Sequence, residues 1–255
     1  MSAKTTYFLS DSHLGAPDAS RSREREQLLV QWFEEYGVGA KEIYLLGDIF
    51  DFWFEYSTVV PKGFVRLLGK IASVIDRGVP VHYFTGNHDM WAFDYFGKEM
   101  GVTMHRKPLE KNIAGKNFLI GHGDGLGPGD TGYKLLKAVF ACSVCQKMFS
   151  FLHPGFGIRM AMFFSRKSRL ANENNPELFK GEDQESLIHY CRDQLKTRNI
   201  DFFVFGHRHL PLKIEIMPGI YYVNTGEWLS QFSFASFDGE TISLHHFKTK
   251  ASTLE

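Results

Sequence analysis

Cysteine is scarce: the 255 residues hold three, Cys142, Cys145 and Cys191. An odd and sparse set excludes a disulfide framework. With no apolar leader between Met1 and Tyr7, it makes a reducing, cytoplasmic location the expectation. Cys142-x-x-Cys145 has no second cysteine pair and lies in an apolar helical run, so the expectation is buried structural cysteines rather than a redox or zinc pair. Net charge is lacking as well. Twenty-nine basic residues balance 29 acidic ones, so no global basic field draws the chain to nucleic acid, and a nuclease is disfavoured. There is no internal repeat or low-complexity tract. The apolar run from Ala138 to Phe164 is broken by Lys147, His153-Pro154 and Arg159, which excludes an uncharged transmembrane span there.

What is present is a series of short apolar runs, each ending in a polar cluster. Tyr7-Phe8-Leu9 leads to Asp11 and His13, and Ile43 to Leu46 leads to Gly47-Asp48. Val81 to Phe84 leads to Gly86-Asn87-His88-Asp89. Phe118 to Ile120 leads to Gly121-His122, and Phe202 to Phe205 leads to Gly206-His207-Arg208-His209. Continuous apolar runs of this length predict strands buried on both faces. Helical spacing over 22–36 and 62–77, the latter closed by Gly78, makes the first half an α/β unit with parallel strands. From 212 to 247, turn dipeptides separate strand-like runs and predict antiparallel hairpins. Residues 131–199 carry helical patterns and no obvious strand. They are expected to form a helical insert, or lid, within a core made of 1–130 and 200–255. The fold class expected is α/β, two packed sheets with helices outside.

Carboxylate, imidazole and amide oxygen are ligands for divalent ions. Residues just past the carboxyl ends of parallel strands converge on one crevice. In Asp-x-His and His-x-His, alternate side chains of an extended segment point the same way, so each pair can address one site. Any one of these clusters alone is an ordinary turn. Five in this order, each after an apolar run, point to a metal site.

The order D-x-H, G-D, G-N-H-D, G-H, G-H-x-H resembles the signature of the calcineurin-like metallophosphoesterases over about residues 7–228. The resemblance implies a double β-sandwich flanked by helices and a binuclear metal centre. Asp11, His13 and His209 would hold one ion, Asn87, His122 and His207 the other, with Asp48 between. Two such ions lower the pKa of a water between them and clamp the phosphoryl oxygens. An O/N donor set without thiolate favours Mn²⁺, with Fe and Zn also compatible. His88 would supply a proton or positive charge to the leaving oxygen, with Asp89 orienting its ring. Asp51 is expected to be structural, or to support the ligands from behind, rather than to be a ligand itself.

Within that superfamily the chain is most similar to UDP-2,3-diacylglucosamine hydrolases of the lipid A pathway. The segments Gly47 to Trp53, His122-Gly123-Asp124 with Asp130-x-Gly132-Tyr133, and Asn224 to Trp228 carry this likeness. It implies cleavage of a nucleotide-activated glycolipid to UMP and 2,3-diacylglucosamine 1-phosphate. Asp124, Asp130, Tyr133, Arg159, Ser165 and Lys167 would touch the glucosamine phosphate. Aromatic residues of the insert could line a groove for acyl chains, and Arg159, Arg166, Lys167 and Arg169 would gather positive charge for a phosphate or for peripheral contact with the inner membrane. The simpler alternative is that these residues pack the insert onto the core and form a solvated face. His88 departs from the best-known branch, which has Arg there. Hydrolysis of another phosphoester, and a non-catalytic scaffold on this fold, are the other readings.

Overall fold

The computed structural model describes residues 4–173 and 178–247, with backbone alone for Arg166 and residues 168–173. Two sheets face each other. The first has six strands in the order β11 (Ile242–His246), β10 (Ser233–Phe237), β1 (Thr6–Leu9), β2 (Glu42–Leu45), β3 (Val81–Phe84), β4 (Thr103–His105). The second has five: β5 (Leu109–Ile113), β6 (Lys116–Ile120), β7 (Phe202–Phe205), β9 (Ile220–Thr225), β8 (Pro211–Met217). Strands β1 to β4 run parallel, as do β6, β7 and β9. The expected hairpins form, but they part company: β8–β9 closes the second sheet and β10–β11 the first.

Period-two alternation explains why the strands read as unbroken apolar runs. Phe8, Tyr44, Phe118, Phe202 and Val204 fill the space between the sheets. Leu9, Ile43 and Leu45 point the other way, onto α1 (Ala19–Trp32) and α2 (Val65–Asp76), with Phe96 of α3 (Tyr95–Met100) in the same cluster. In β7, Phe203 and Phe205 meet α7 (Ser186–Gln194). Both faces are therefore dry, and each large side chain so buried contributes about 1.5–3 kcal/mol. Helix α2 buries Leu67, Ile71 and Val74, one stripe at helical spacing. Gly78, at φ +84°, ends it as expected. Helix α1 starts earlier than its apolar pattern because Asp18 caps it, accepting from the backbone N–H of Ser20 and Arg21 at 2.9 and 3.0 Å.

The stretch expected as an insert divides in two. Helices α4 (Thr131–Ala141), α5 (Ser143–Ser150) and α6 (Pro154–Glu173) stand against one end of the sandwich. Phe149 anchors them on Phe54 and Trp91, with ring centroids 4.7 and 4.8 Å apart, and the Trp91 indole donates to the Phe140 carbonyl at 2.8 Å. Helix α7 differs: Leu187, Ile188 and Cys191 are buried under the second sheet, so it is a core layer and not part of a lid. The expectation of buried cysteines fails for the C-x-x-C pair. Cys142 is exposed and Cys145 half-buried, because α4 and α5 bury none of their residues fully. Among the described residues no helix is long and apolar enough to cross a membrane.

Candidate metal centre

The five polar clusters follow β1, β2, β3, β6 and β7, whose carboxyl ends open on the same edge of the sandwich. Backbone bonds lace the loops together: Asp11 N donates to Gly47 O at 3.0 Å and His13 N to Asp48 O at 2.9 Å. The packing admits no side chain at Gly47, where a Cβ would lie 2.6 Å from Gly86 N and 2.9 Å from His122 Nδ1. Asp11, His13, Asp48, His207 and His209 all adopt positive φ, from 41° to 69°. Such a conformation costs a non-glycine residue about 1–2 kcal/mol, and residues held there cluster where function requires them.

Three sets of donor atoms come within 4.8 Å of one another: Asp11, His13 and His209; Asp48, His122 and His207; and His13, Asp51 and His88. In the first, His209 Nε2 lies 3.1 Å from His13 Nε2 and 3.2 Å from Asp11 Oδ1. In the second, His122 Nε2 lies 3.4 Å from Asp48 Oδ2 and 3.2 Å from Asn87 Oδ1. Two atoms about 2.1 Å from one ion, at tetrahedral to octahedral angles, stand about 3.0–3.4 Å apart, so these spacings suit shared ligation. Asp48 Oδ2 also lies 4.0 Å from His13 Nε2, between the first two sets. The donor chemistry fits too. Asp11 Oδ1 is buried and accepts no hydrogen bond, while Asp11 Oδ2 accepts from Ser10 Oγ and His207 N. His122 donates Nδ1–H to the Leu46 carbonyl at 2.7 Å, which leaves Nε2 with its lone pair for an ion.

Four carboxylates, Asp11, Asp48, Asp51 and Asp124, are at most 5% exposed around these imidazoles. Burial opposes charge on Asp48, but His122, His88 and His13 outweigh it and hold the carboxyl well below its usual range. Burial likewise opposes the proton on His122, and Asp48 outweighs it, lifting the ring to about 10. His207 is pushed down to about 4, by burial and then by His122. Burial opposes charge on Asp124, yet His122, Lys137 and His207 keep its carboxyl low. A divalent cation entering this field displaces protons from imidazole, so its uptake weakens as pH falls.

His88 and Asp89 do not form the expected pair. The His88 ring donates from Nδ1 to the Asp51 carbonyl at 2.9 Å, lies 3.5 Å from Asp51 Oδ1, and is 3.4 Å from Ser165 Oγ on α6. Asp89 turns into the protein instead. Its carboxylate accepts from the backbone N–H of Ile49 at 2.9 Å and Gly86 at 2.7 Å and from the Tyr83 hydroxyl, clamping two ligand loops. Asp51, expected to be structural or supporting, anchors the ring through its carbonyl, and its Oδ1 accepts from Ser165 Oγ at 2.8 Å and faces His13 Nδ1 at 3.9 Å.

Of the other expected contacts, Asp124 and Tyr133 join the centre, with the Tyr133 hydroxyl donating to Asp124 Oδ2 at 2.6 Å and its ring 6.2 Å from His207. Lys137, one helical turn beyond Tyr133, reaches the same oxygen at 2.6 Å. That i, i+4 spacing was the signal for a residue that sequence reasoning missed. Asp130 is exposed at the start of α4 and does not cap it. Arg159 and Lys167 are exposed on α6, and the side chains of Arg166 and Arg169 lie outside the described residues.

The family model for the calcineurin-like phosphoesterases matches residues 4–211. A UDP-2,3-diacylglucosamine hydrolase of Porphyromonas gingivalis is 34% identical, over 93% of this chain and 95% of its own length. One from Neisseria gonorrhoeae is 26% identical over 93% and 95%. Among solved structures, Yfce, a phosphoesterase from E. coli, matches 96% of this chain and all of its own at 13% identity, with a TM-score of 0.43. The strand-end clusters, the two-sheet sandwich and the chain-long match agree, and this chain is a member of the calcineurin-like phosphoesterase family.

Proposed function

We propose that this hydrolase cleaves the pyrophosphate bond of UDP-2,3-diacylglucosamine, releasing UMP and 2,3-diacylglucosamine 1-phosphate. The observation that carries the reading is the neighbourhood of the centre. Helix α6 brings Ser165 against Asp51 and His88, while Phe151, Phe156, Phe163 and Phe164 in and beside it stay 60–79% exposed. A phosphoester site next to a broad apolar surface suits a substrate with an anionic head and acyl tails. The names of the two relatives support the same substrate.

In this reading Asp11, His13 and His209 would hold one divalent ion, and Asn87, His122 and His207 a second, with Asp48 available to both and Mn²⁺ first choice for the oxygen and nitrogen donors. Two bound divalent ions would neutralise phosphoryl charge and acidify a water for attack on the α-phosphorus. The chain does the rest. Asp51 and Ser165 fix the His88 ring with Nδ1–H spent on a carbonyl, so Nε2 faces the departing glycolipid phosphate and the doubly protonated ring gives it that proton, reverting to the neutral Nδ1–H form. Asp124, Asp130, Tyr133, Arg159, Ser165 and Lys167 position the sugar phosphate. The apolar face of α4–α6 takes the acyl chains and rests on the cytoplasmic face of the inner membrane as a peripheral contact.

The test is release of UMP from UDP-2,3-diacylglucosamine by the purified Mn²⁺-loaded protein, with Asp48→Ala and His88→Ala alongside. Turnover in H₂¹⁸O places the label on UMP. No UMP with Mn²⁺, Mg²⁺, Co²⁺ or Zn²⁺, or full turnover in both variants, overturns the reading.

A further inference from the structure

Cleavage of a pyrophosphate leaves two products, and the apolar face of α4–α6 accounts for only one. A cleft of about 390 Å³ opens beside the centre, within the range of about 300–1,000 Å³ usual for small-ligand sites. It shares Gly86, His122 and Asp124 with the centre, and includes none of His13, Asp51, His88 and His209. It lies between the core and the α4–α5 part of the insert, which lines it with Lys137, Ala141 and Gln146, and no residue of α6 borders it.

The walls have a mixed chemistry. Met90, Phe93, Pro108 and Leu126 are apolar, and Arg106 and Lys107 are cationic. The Arg106 guanidinium carbon stands 5.5 Å from the centroid of the Phe93 ring, over its face. The guanidinium donates to the carbonyls of Met90 at 3.2 Å and Ala92 at 2.5 Å. Those acceptors hold the group still and leave its charge unneutralised. Neither Arg106 nor Lys107 pairs with a carboxylate among the described residues. Lys137, the third cation of the cleft, is paired with Asp124. A hydrocarbon chain here would strip water from two cations and replace it with nothing. A flat base attached to a phosphate meets both needs, stacking on the aromatic–guanidinium pair and neutralising the lysine.

We infer that this cleft binds the nucleoside monophosphate half of the substrate, with the base against Phe93 and Arg106 and its phosphate between Lys107 and the centre. The inference rests on the pyrophosphate reading above and gives the substrate a direction. The UMP half enters along Arg106 and Lys107, the glycolipid phosphate departs past His88 toward α6, and Asp124 with Tyr133 stands where the two halves meet.

The probes are UMP and its photoreactive analogue 4-thiouridine 5′-monophosphate, used on the Mn²⁺-loaded protein. Irradiation is expected to attach the analogue to the peptides spanning 84–93 or 105–108. Phe93→Ala and Lys107→Glu are each expected to raise the inhibition constant of UMP about tenfold. Inhibition by 2,3-diacylglucosamine 1-phosphate should keep its constant. Attachment to Pro154–Glu173, or an unchanged UMP constant in both variants, overturns the inference. Lys107 is exposed, so its variant folds and keeps the result interpretable. Photo-attachment needs no turnover, so a protein that binds UMP in the cleft but releases none from the glycolipid refutes the substrate and not the cleft.

Discussion

Gly86→Ala, a single methyl group away from the donor atoms, should silence the centre while leaving the fold standing. A Cβ at Gly86 would stand 2.6 Å from Asp48 N and 2.7 Å from Asp48 Cγ, and closer still to Asp48 Oδ1. Ordinary contact begins at 3.4 Å, so Cγ must retreat about 0.7 Å and the carboxylate oxygen further. Asp48 has nowhere to go without loss. Its Oδ1 accepts from His88 N at 2.8 Å and its Oδ2 lies between the His13 and His122 nitrogens. Misplacing a reacting constellation by about 1 Å costs on the order of 100-fold in rate, or about 2.7 kcal/mol in the barrier. Overpacking adds about 1–3 kcal/mol of destabilisation, a loss of several degrees in a domain of this size. Hydrolysis of bis(p-nitrophenyl) phosphate by the Mn²⁺-loaded variant, with metal content and a thermal melt measured on the same sample, separates the two effects. A folded Gly86→Ala protein that binds two ions and turns over within threefold of wild type would refute the assignment of Asp48 to both metal groups.

Gly69, inside α2, gives the opposite sign, because a Cβ added there would meet nothing within 4 Å. Gly69→Ala should raise stability by about 0.5–1 kcal/mol, and a lowered melting temperature would contradict the open space seen there. Away from the centre, Glu42 is held near a pKa of about 2, chiefly by His82 and against its burial, with Lys111 and Tyr44 adding to His82. Its folded pKa lies below its unfolded value, so its stabilisation is present above about pH 4.5 and is lost as pH falls toward 2. Glu42→Gln should therefore cost stability at pH 7 and little at pH 2, and melts showing equal differences at both would refute this. Phe151→Ser with Phe163→Ser removes two side chains that are 79% and 63% exposed. Stability should hold within about 0.5 kcal/mol, while co-sedimentation with anionic vesicles falls and KM for the diacylated substrate rises; a large drop in melting temperature would mean that these rings are packed after all.

The strand-end clusters were legible because two local rules coincide there. An apolar run such as Phe202 to Phe205 can only be a strand dry on both faces, and the residue just past such a strand can only face the crevice. Contacts made by packing left no such trace. Ser165 meets Asp51 from 114 positions away, through the docking of α6, and neither neighbourhood hints at it. Adjacency misled at His88-Asp89, since neighbouring side chains leave the backbone in different directions and Asp89 went inward to clamp two loops. Helix α7 could have been separated from the lid, because Leu187, Ile188 and Cys191 already form a stripe. Cys142 shows the deeper limit. Periodicity tells which residues share a face and is silent on what covers it. Leu67, Ile71 and Val74 of α2 and Leu135, Leu136 and Val139 of α4 each share one helix face, yet the first three are at most 2% exposed and the second three 44–69%. The difference is the neighbour: for α2 it is a sheet of the same chain, and for the insert, in the reading proposed above, it is lipid.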